Sequence, residues 1–495
     1  MRNNSLNTIL RSKQTNNIIF ITFWSQFASY ALNSILIIFL TRPILTNGLG
    51  YSQAKAYAFI GISQATGYLM PVLGGYFADH VIGLRRSILL GSLILAAAYL
   101  LIMLSGYTIK AHGDFLFIAA YALVPAANSL LMGTASGMVS YIYADDAVPA
   151  KSAMTYYYMA INVGALLATI IAPVLLESRY GPLSVLTLTF IGKSIAAVNF
   201  SRRYSLYENI IYGKDKISLS ITTITRLVIY LLSIYIFTLF AYSHIFVASI
   251  LVSIGCAMGI FFFLGKTLAM DRNARYKQLV ASMLIIEAIV FFVIYNQMNT
   301  TLVLFAKNNS DLHLLNFVIS PAQYQMLNPI LIIALGLKLP LFYKKFPSFS
   351  IPFQFATGTL LAGLALLILA YACVHAEGGL VHGNYIAVTY LLISLAELWV
   401  SAIGLSMIGL YCDAQNLGFA MGVWYLACSL SYTLSGRLAA FVAMPESTLS
   451  PIQSLPIYQA YYLTLGLIAC ALGAIMIMMA CLLTHYSGKR GIVLP

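Results

Sequence analysis

Residues 156–166 read YYYMAINVGAL and place one amide side chain, Asn162, inside a largely apolar stretch centred near residue 164. A helix needs roughly 20 apolar residues to cross the hydrocarbon of a bilayer. An asparagine that faces lipid has no hydrogen-bond partner, so we expect it to face protein or a water-filled cavity. The stretch therefore predicts a membrane-spanning helix with Asn162 turned towards the interior of a helix bundle.

The composition agrees with many such helices. Of 495 residues, 61% are hydrophobic and only 8% are charged, whereas a soluble domain carries about 25% charged residues. The formal net charge of +13 raises the question of nucleic-acid binding. The cations lie in short segments between apolar spans and not along one helix face, which excludes that class. The chain is thus predicted to be a multi-pass membrane protein.

We predict fourteen membrane spans. Their centres lie near residues 30, 66, 96, 128, 164, 191, 232, 255, 291, 332, 362, 397, 431 and 470. If the N-terminus is cytoplasmic, lysine and arginine are concentrated in the cytoplasmic segments, as the positive-inside rule requires. We therefore expect both termini to be cytoplasmic.

The spans fall into three predicted regions. Residues 1–200 form an N-terminal six-helix bundle and residues 277–495 form a C-terminal six-helix bundle. Residues 201–276 form a linker with two extra spans, Thr222–Tyr242 and Ile245–Gly265. Twelve spans in two halves favour the major facilitator fold, in which two bundles rock against each other. The predicted fold class is thus an all-α membrane protein with an inserted helical hairpin.

The segment after the second span reads GGYFADHVIGLRR over residues 74–86. We expect Gly75 to permit a close helix contact. Asp79 can form an ion pair with Arg85 or Arg86 at the cytoplasmic ends of two helices. Such a latch would break and re-form as the bundles move.

Five further segments share a pattern with one transporter family. They are 156–166 (YYYMAINVGAL), 296–306 (NQMNTTLVLFA), 324–329 (YQMLNP), 397–406 (ELWVSAIGLS) and 421–426 (MGVWYL). Taken in this order, the chain resembles the proton-dependent oligopeptide transporter (POT) family of the major facilitator superfamily. The resemblance implies alternating access around a midplane site, a prokaryotic inner-membrane location, and a peptide-like substrate.

The chain departs from this family where the resemblance implies charge. The family's first-helix pattern E-x-x-E-R and three later charged positions match neutral residues here. These are Thr22, Ser25, Gln26, Asn33, Met132 and Asn296. In the family the cations hold the carboxylate end of the peptide and the glutamates exchange protons. The resemblance therefore implies an atypical member without the usual proton site.

Two acids remain inside the predicted spans. Glu397 lies near the middle of the tenth helix of the two-bundle core, where a carboxylate is costly unless it faces a cavity or a partner. The resemblance places the substrate amino group there, while a structural carboxylate is the alternative. For Glu287 two roles are possible, a contact in helix packing or a part in proton transfer or gating. Glu397 and Glu287 are therefore both candidates for proton coupling. Lys193, Lys338 and Arg437 also fall inside spans, where we expect them to reach the surface or pair structurally.

The resemblance and the polar spans together predict a substrate site. Its residues are Tyr30, Asn33, Tyr68, Asn162, Asn296, Gln297, Gln325, Asn328, Glu397, Ser401 and Trp424. A pocket with one negative end and no positive end suits an amine-bearing or cationic solute.

The predicted function is a secondary transporter of di- or tripeptides or of peptide-like amines. Coupling either moves to Glu397, with or without Glu287, or is absent, as in a facilitator. A transporter of a non-peptide solute (an amino acid, amine or nucleoside-like compound) and a non-transporting sensor remain alternatives. The sequence contains no nucleophile–base pair or phosphate loop, so an enzyme is excluded. We expect no cofactor or metal; the partners are a small-molecule substrate, possibly protons, and the lipid bilayer.

Overall fold

The computed structural model describes residues 2–143, 146–210, 220–336, 338–346, 349–412, 417–444 and 449–489. Most of these residues are helical. The first nine helices are α1 (Arg2–Thr41), α2 (Gln53–Phe77), α3 (Leu84–His112), α4 (Phe115–Tyr121), α5 (Leu123–Leu131), α6 (Thr134–Ile142), α7 (Ala147–Leu176), α8 (Pro182–Arg202) and α9 (Ile221–Ser243). A π-helical turn, Ala78–Ile82, extends α2.

The later part of the chain continues in the same way. Its helices are α10 (Ile245–Leu268), α11 (Arg272–Tyr295), α12 (Thr301–Asn309), α13 (Leu327–Gly336), α14 (Leu339–Lys345), α15 (Ile351–Val374), α16 (Gly383–Tyr411), α17 (Leu417–Ala440) and α18 (Pro451–Lys489). Short 3₁₀ turns lie at Ile44–Thr46, Tyr204–Tyr207, Asn296–Asn299 and Pro321–Met326. Two strands, β1 (His313–Leu314) and β2 (Phe317–Val318), pair antiparallel and join α12 to the turn before α13.

The number of spans differs from the sequence prediction. Among the described residues, twelve helices are long and apolar enough to cross a membrane, or thirteen if one bent pair is counted as a single span. The predicted number of fourteen is therefore wrong. Helix α2, which is 25 residues long and contains the polar residues Ser63, Gln64 and Thr66, is not among the twelve. The span predicted near residue 332 is broken, because Pro321–Gly336 and Leu339–Lys345 meet at 52°.

The chain divides into two compact units. The first contains Met1–Gly50 and Thr66–His244, and the second contains Tyr51–Ala65 and Ile245–Pro495. The two extra helices are thereby separated, since α9 belongs to the first unit and α10 to the second. The three-region division at 1–200, 201–276 and 277–495 stays a prediction, and residues 211–219 of the linker lie outside the described residues.

Glycines set the close helix crossings of the first unit. Helix α1 packs against both α7 and α8. A Cβ atom added at Gly164 would lie 2.9 Å from the Phe23 carbonyl oxygen. A Cβ atom added at Gly192 would lie 3.0 Å from the Cβ of Ala28. Small residues permit this approach of two backbones, as is common where membrane helices associate.

Helix α9 is held to the first unit by polar and aromatic contacts. The Tyr230 hydroxyl donates to Ser129 Oγ at 2.8 Å, and the Tyr230 ring stacks on Phe77 at 3.9 Å between centroids. The Thr238 hydroxyl donates to the Ala122 carbonyl oxygen at 2.7 Å. Hydrocarbon offers no water to these polar groups, so hydrogen bonds between the helices satisfy them. Helix α9 is therefore a packed part of this unit.

A tyrosine secures the end of α8 that is predicted to be cytoplasmic. The Tyr207 hydroxyl donates to Asn17 Oδ1 at 2.8 Å and contacts the Gln14 carbonyl oxygen at 3.0 Å. Burial raises the pKa of Tyr207 above its usual value, because the interior disfavours the charged phenolate. The hydroxyl therefore keeps its proton and remains a donor to α1.

The second unit includes Tyr51–Ala65, the segment that contains the first half of α2, and this half packs against α17. A Cβ atom added at Gly61 would lie 2.7 Å from the Tyr432 carbonyl oxygen and 3.0 Å from the Cα of Gly436. At the start of α2, Gln53 Oε1 accepts from the Met444 amide at 3.0 Å. These contacts explain why this segment groups with the later helices.

The tight contact of α2 in the first unit lies at Gly74. A Cβ atom added at Gly74 would lie 1.6 Å from the Ser129 carbonyl oxygen, whereas one added at Gly75 would meet nothing within 4 Å. The close contact that the sequence analysis assigns to Gly75 is thus made one residue earlier.

Adjacent alanine substitutions at this contact should behave oppositely. Gly74→Ala forces α2 and α5 apart, and overpacking of this kind lowers the free energy of unfolding by about 1–3 kcal/mol. Gly75→Ala, the matched control, should be neutral or stabilising by up to about 1 kcal/mol, since alanine favours the helix over glycine. Thermal unfolding of the purified variants in detergent measures both; equal effects would contradict the close contact at Gly74.

Candidate substrate-binding site

Glu397 of α16 is the half-buried acid around which the second unit's polar residues gather. Asn328 Nδ2 donates to Glu397 Oε2 at 2.6 Å and to Ser394 Oγ at 3.0 Å. The side chain of Tyr295 also hydrogen-bonds Glu397. The structure thus brings together two predicted site residues, Glu397 and Asn328.

The local sequence explains this arrangement. Asn328 is the second residue of α13, next to Pro329, and therefore lies in the first turn of the helix. Ser394 and Glu397 are three residues apart and therefore share one face of α16. The Ser394 hydroxyl donates to the Tyr390 carbonyl oxygen at 2.7 Å, and the Tyr390 hydroxyl donates to the Met298 carbonyl oxygen at 2.6 Å. Hydrogen bonds therefore connect the Glu397 carboxylate through Asn328 and Ser394 to the Tyr390 carbonyl oxygen of α16, and they fix its position.

No lysine, arginine or histidine among the described residues lies within 4 Å of the Glu397 carboxylate. A carboxylate in a poorly hydrated place gains most from a cation or a proton. Chemically, the site can therefore accept an ammonium group or be protonated.

Gln297 lies in the 3₁₀ turn between α11 and α12 and is fully buried. Its Nε2 donates to the Val293 carbonyl oxygen and to Ser435 Oγ, both at 2.9 Å. Its Oε1 accepts from Thr301 Oγ1 at 2.8 Å and from the Tyr461 hydroxyl at 3.0 Å. A substrate would have to replace one of these four bonds, so its predicted binding role stays a prediction.

Asn296, the neighbouring residue, is also fully buried. Its Nδ2 donates to Ser435 Oγ at 3.1 Å, and its Oδ1 has no hydrogen-bond partner among the described residues. Asn296 and Gln297 thus meet at one serine of α17.

Trp424 is buried in an aromatic cluster of the second unit. Its ring lies edge-on to Phe292 and Phe355, with centroids 6.0 Å and 6.2 Å away. A Cβ atom added at Gly404 would lie 2.0 Å from the indole, so only glycine leaves room for the ring. Sequence reasoning missed this role of Gly404. Of the remaining predicted residues here, Gln325 is buried and Ser401 is half-buried.

The first unit holds the other four predicted site residues. Tyr30 is 38% exposed, Asn33 and Tyr68 are half-buried, and Asn162 is buried. Asn162 Nδ2 donates to the Tyr158 carbonyl oxygen of its own helix at 2.9 Å. The amide expected to face the bundle interior is thus partly satisfied within α7.

Lys193 is the polar residue of the first unit whose contacts the sequence analysis missed. It is 2% exposed, and its ammonium donates to three oxygens of α1. They are the Ser25 carbonyl oxygen at 2.7 Å, Ser25 Oγ at 3.0 Å and Ser29 Oγ at 2.7 Å. It does not reach the surface. The sequence did contain one indication of such buried contacts, a single lysine within an apolar span.

Glu287 of α11 is 4% exposed. The Thr359 hydroxyl of α15 donates to Glu287 Oε1 at 3.5 Å, which is a long contact. The structure thus gives this acid one weak partner and leaves its proton or packing role a prediction.

The predicted latch residues lie where α2 ends and α3 begins. Asp79 is exposed on the π-helical turn, and the Arg85 guanidinium lies 4.3 Å from the Tyr204 ring centroid. Among the described residues, Asp79 forms no ion pair within 4 Å with Arg85 or Arg86. The latch therefore stays a prediction. In the described part of the chain, no group of three or more histidine, cysteine or acidic side chains is arranged so that it could hold a metal ion.

Comparison with known proteins identifies relatives along nearly the whole chain. A family model described as the POT family matches residues 85–459. The dipeptide and tripeptide permease B of Yersinia enterocolitica is 31% identical over 467 residues, covering 93% of this chain and 92% of the relative. The dipeptide and tripeptide permease A of Citrobacter koseri is 31% identical over 488 residues, covering 96% of this chain and 93% of the relative.

Solved structures share the fold. One from work on substrate recognition in proton-dependent oligopeptide transporters has a TM-score of 0.81 at 25% identity and covers 96% of this chain and all of its own. A peptide transporter POT variant in complex with alafosfalin has a TM-score of 0.82 at 24% identity, covering 95% of each chain. The predicted all-α major facilitator fold is confirmed, apart from the number of spans. This multi-pass integral membrane protein therefore belongs to the POT family, a family of peptide transporters and not of enzymes.

Proposed function

We propose that the protein is a secondary transporter of di- and tripeptides or peptide-like amines, working by alternating access in a bacterial inner membrane. The observation that carries the proposal is Glu397, a half-buried carboxylate within the span α16 that accepts a hydrogen bond from Asn328 and has no cation within 4 Å among the described residues. The names of the relatives, dipeptide and tripeptide permeases, support this substrate class.

In this proposal the substrate ammonium binds Glu397. The carboxylate accepts charge-assisted hydrogen bonds from the amine, which are about twice as strong as neutral ones. Asn328 and Tyr295 fix the orientation of the carboxylate, so little side-chain entropy is lost on binding. A protonated amine therefore supplies the cation that the structure itself does not place beside Glu397.

The carboxylate end of a peptide meets a different environment. Helix α1 contains no acidic residue, and its positions 26 and 33 are glutamine and asparagine. Residue 132, at the end of α5, is methionine. Neutral amides can bond a carboxylate but bind it less strongly than arginine does. We therefore propose that recognition depends more on the amine than on the carboxylate.

Coupling is proposed to differ from the acidic first-helix pattern of the family. Glu397 and Glu287 are the intramembrane acids of the second unit that can take up a proton. A carboxylate that exchanged its proton for the amine would move the two in opposite directions. Symport requires both to be bound together, so in this proposal Glu397 holds the amine while Glu287 carries the proton. The protein would then be a symporter with atypical coupling.

Replacing the central acid tests this proposal. In liposomes, an inward proton gradient should stimulate uptake of a labelled dipeptide, and Glu397→Gln should reduce that uptake to the protein-free background, because the amine loses its charged partner. Loss of one such bond weakens binding by about 1.5–3 kcal/mol. Glu377→Gln, an exposed acid outside the spans, is the matched control and should transport normally.

Each contrary result has a defined meaning. Uptake that ignores the gradient would make the protein a facilitator. No dipeptide uptake by a folded sample would favour a non-peptide solute, and binding without any flux would favour a sensor. Full activity of Glu397→Gln would overturn the assigned role of this acid.

Blocked peptides separate the two ends of the substrate. An N-acetylated dipeptide should compete with the labelled dipeptide at least about tenfold more weakly than the free one, since it cannot pair with Glu397. A C-terminally amidated dipeptide should compete nearly as well as the free one, because no cation is assigned to its carboxylate. Half-maximal inhibitory concentrations for the three compounds measure this; the reverse order would contradict amine-led recognition.

A further inference from the structure

Lys193 occupies a helix interface that is unusual for a charged residue. It lies near the middle of α8, and the adjacent Gly192 lets α8 approach α1 closely. The side chain is 2% exposed and therefore has no access to bulk water. A lysine in such a place is costly and marks a functional site by default.

The surroundings match an ammonium group. Lysine has three N–H donors, and three oxygens of Ser25 and Ser29 lie within 3.0 Å of Lys193 Nζ. The Tyr99 ring centroid lies 5.0 Å from the same nitrogen, within the range of a cation–π contact. The protonated form is thus bonded on all its donors without an anion.

No acid on the described elements packed against α8 balances this charge. Helix α8 packs against α1, α3, α7 and the turn Tyr204–Tyr207, and none of these described elements contains aspartate or glutamate. From α3, Tyr99 is the titratable group that faces Lys193; from α1, the facing groups are the two serines. The other cations of α1, α3 and α7 are Arg2, Arg11, Lys13, Arg85, Arg86, Lys110 and Lys151, towards the helix ends.

Serine hydroxyls also accommodate the neutral amine. A hydroxyl accepts a hydrogen bond from an ammonium and can rotate to donate one to an amine lone pair. A carboxylate in the same place could only accept and would keep the lysine charged. Ser25 and Ser29 are half-buried while Lys193 is buried, so the two serines have solvent-accessible surface that Lys193 lacks.

We propose that Lys193 is a proton-exchanging site of the first unit, at which Ser25 and Ser29 bind the nitrogen in both protonation states. The ammonium gives one proton through a serine hydroxyl to water, and the nitrogen lone pair then accepts from that hydroxyl. The next proton returns by the same path. The inference rests on the proposed transport function, to which it adds a basic proton carrier on α8, facing an α1 without acids.

Transport assays isolate the role of the proton. Lys193→Arg keeps the charge but does not deprotonate in proteins, and Lys193→Met removes the charge at similar length. Both should lose stimulation by the proton gradient and fall to the gradient-independent rate. Both should retain exchange of labelled for unlabelled dipeptide at equal pH, since exchange needs no net proton movement. Lys151→Arg, an exposed lysine of α7, is the matched control and should behave as wild type.

A direct readout does not depend on any substrate. In protein labelled with ¹⁵N-lysine, one side-chain nitrogen resonance should change from ammonium to amine across the pH range over which transport is measured. That resonance should be absent from Lys193→Met and from Lys193→Arg, which gives its assignment even if only one variant folds. The Lys151→Arg spectrum should retain it.

The outcomes separate this inference from the proposed function. Gradient-stimulated accumulation by Lys193→Arg at the wild-type level, or a Lys193 resonance that stays ammonium throughout, overturns the inference: Lys193 is then a permanent tie between helices. A titrating Lys193 in a protein that moves no dipeptide overturns the peptide proposal and leaves the proton site in place.

Discussion

Hydrocarbon contains no water, and this constraint governs the polar interior of the protein. A buried donor or acceptor therefore loses free energy unless it finds a partner within the chain. The Gln297 amide does so with four bonds, the Lys193 ammonium with three, and the Glu397 carboxylate with Asn328 and Tyr295. The polar residues are therefore held in fixed positions, and they mark where the helices must meet.

The two units solve the problem of buried charge in opposite ways. In the first, a cation is surrounded by neutral oxygens and an aromatic ring. In the second, an anion accepts hydrogen bonds from an amide and a phenol. Neither charge has an ionic partner within its own unit among the described residues. When a charged group is surrounded by neutral dipoles, it can gain or lose a proton without leaving a buried counter-ion uncompensated.

Helix positions could be read from the sequence because apolar length alone determines them. The spans predicted at Thr222–Tyr242 and Ile245–Gly265 differ from α9 and α10 by no more than three residues at any end. The same criterion overcounted at α2 and at the break between α13 and α14. In α2, polar residues lower the mean hydropathy. The bend between α13 and α14 depends on tertiary packing, which a hydropathy pattern along the chain does not report.

The site was predictable only in part. The pairing of Glu397 with its neighbours follows from an acid in an apolar span, but Lys193 contacts a serine 168 residues away, a separation no local pattern bridges. The shift from Gly75 to Gly74 has a similar cause, since adjacent residues of a helix point about 100° apart and only the facing helix decides which is crowded. Sequence identifies the costly groups, and the fold identifies their partners.

The acid-free surroundings of Lys193 have an electrical consequence. A protonated lysine deep in a low-dielectric layer is a charge on which the membrane voltage acts. One elementary charge moved across the whole layer changes energy by about 2.3 kcal/mol per 100 mV, and a buried site senses part of that field. The described helices packed against α8 carry no carboxylate to cancel this charge. Binding and release of a proton at Lys193 would therefore move charge through part of the membrane field, even when the transported solute is neutral.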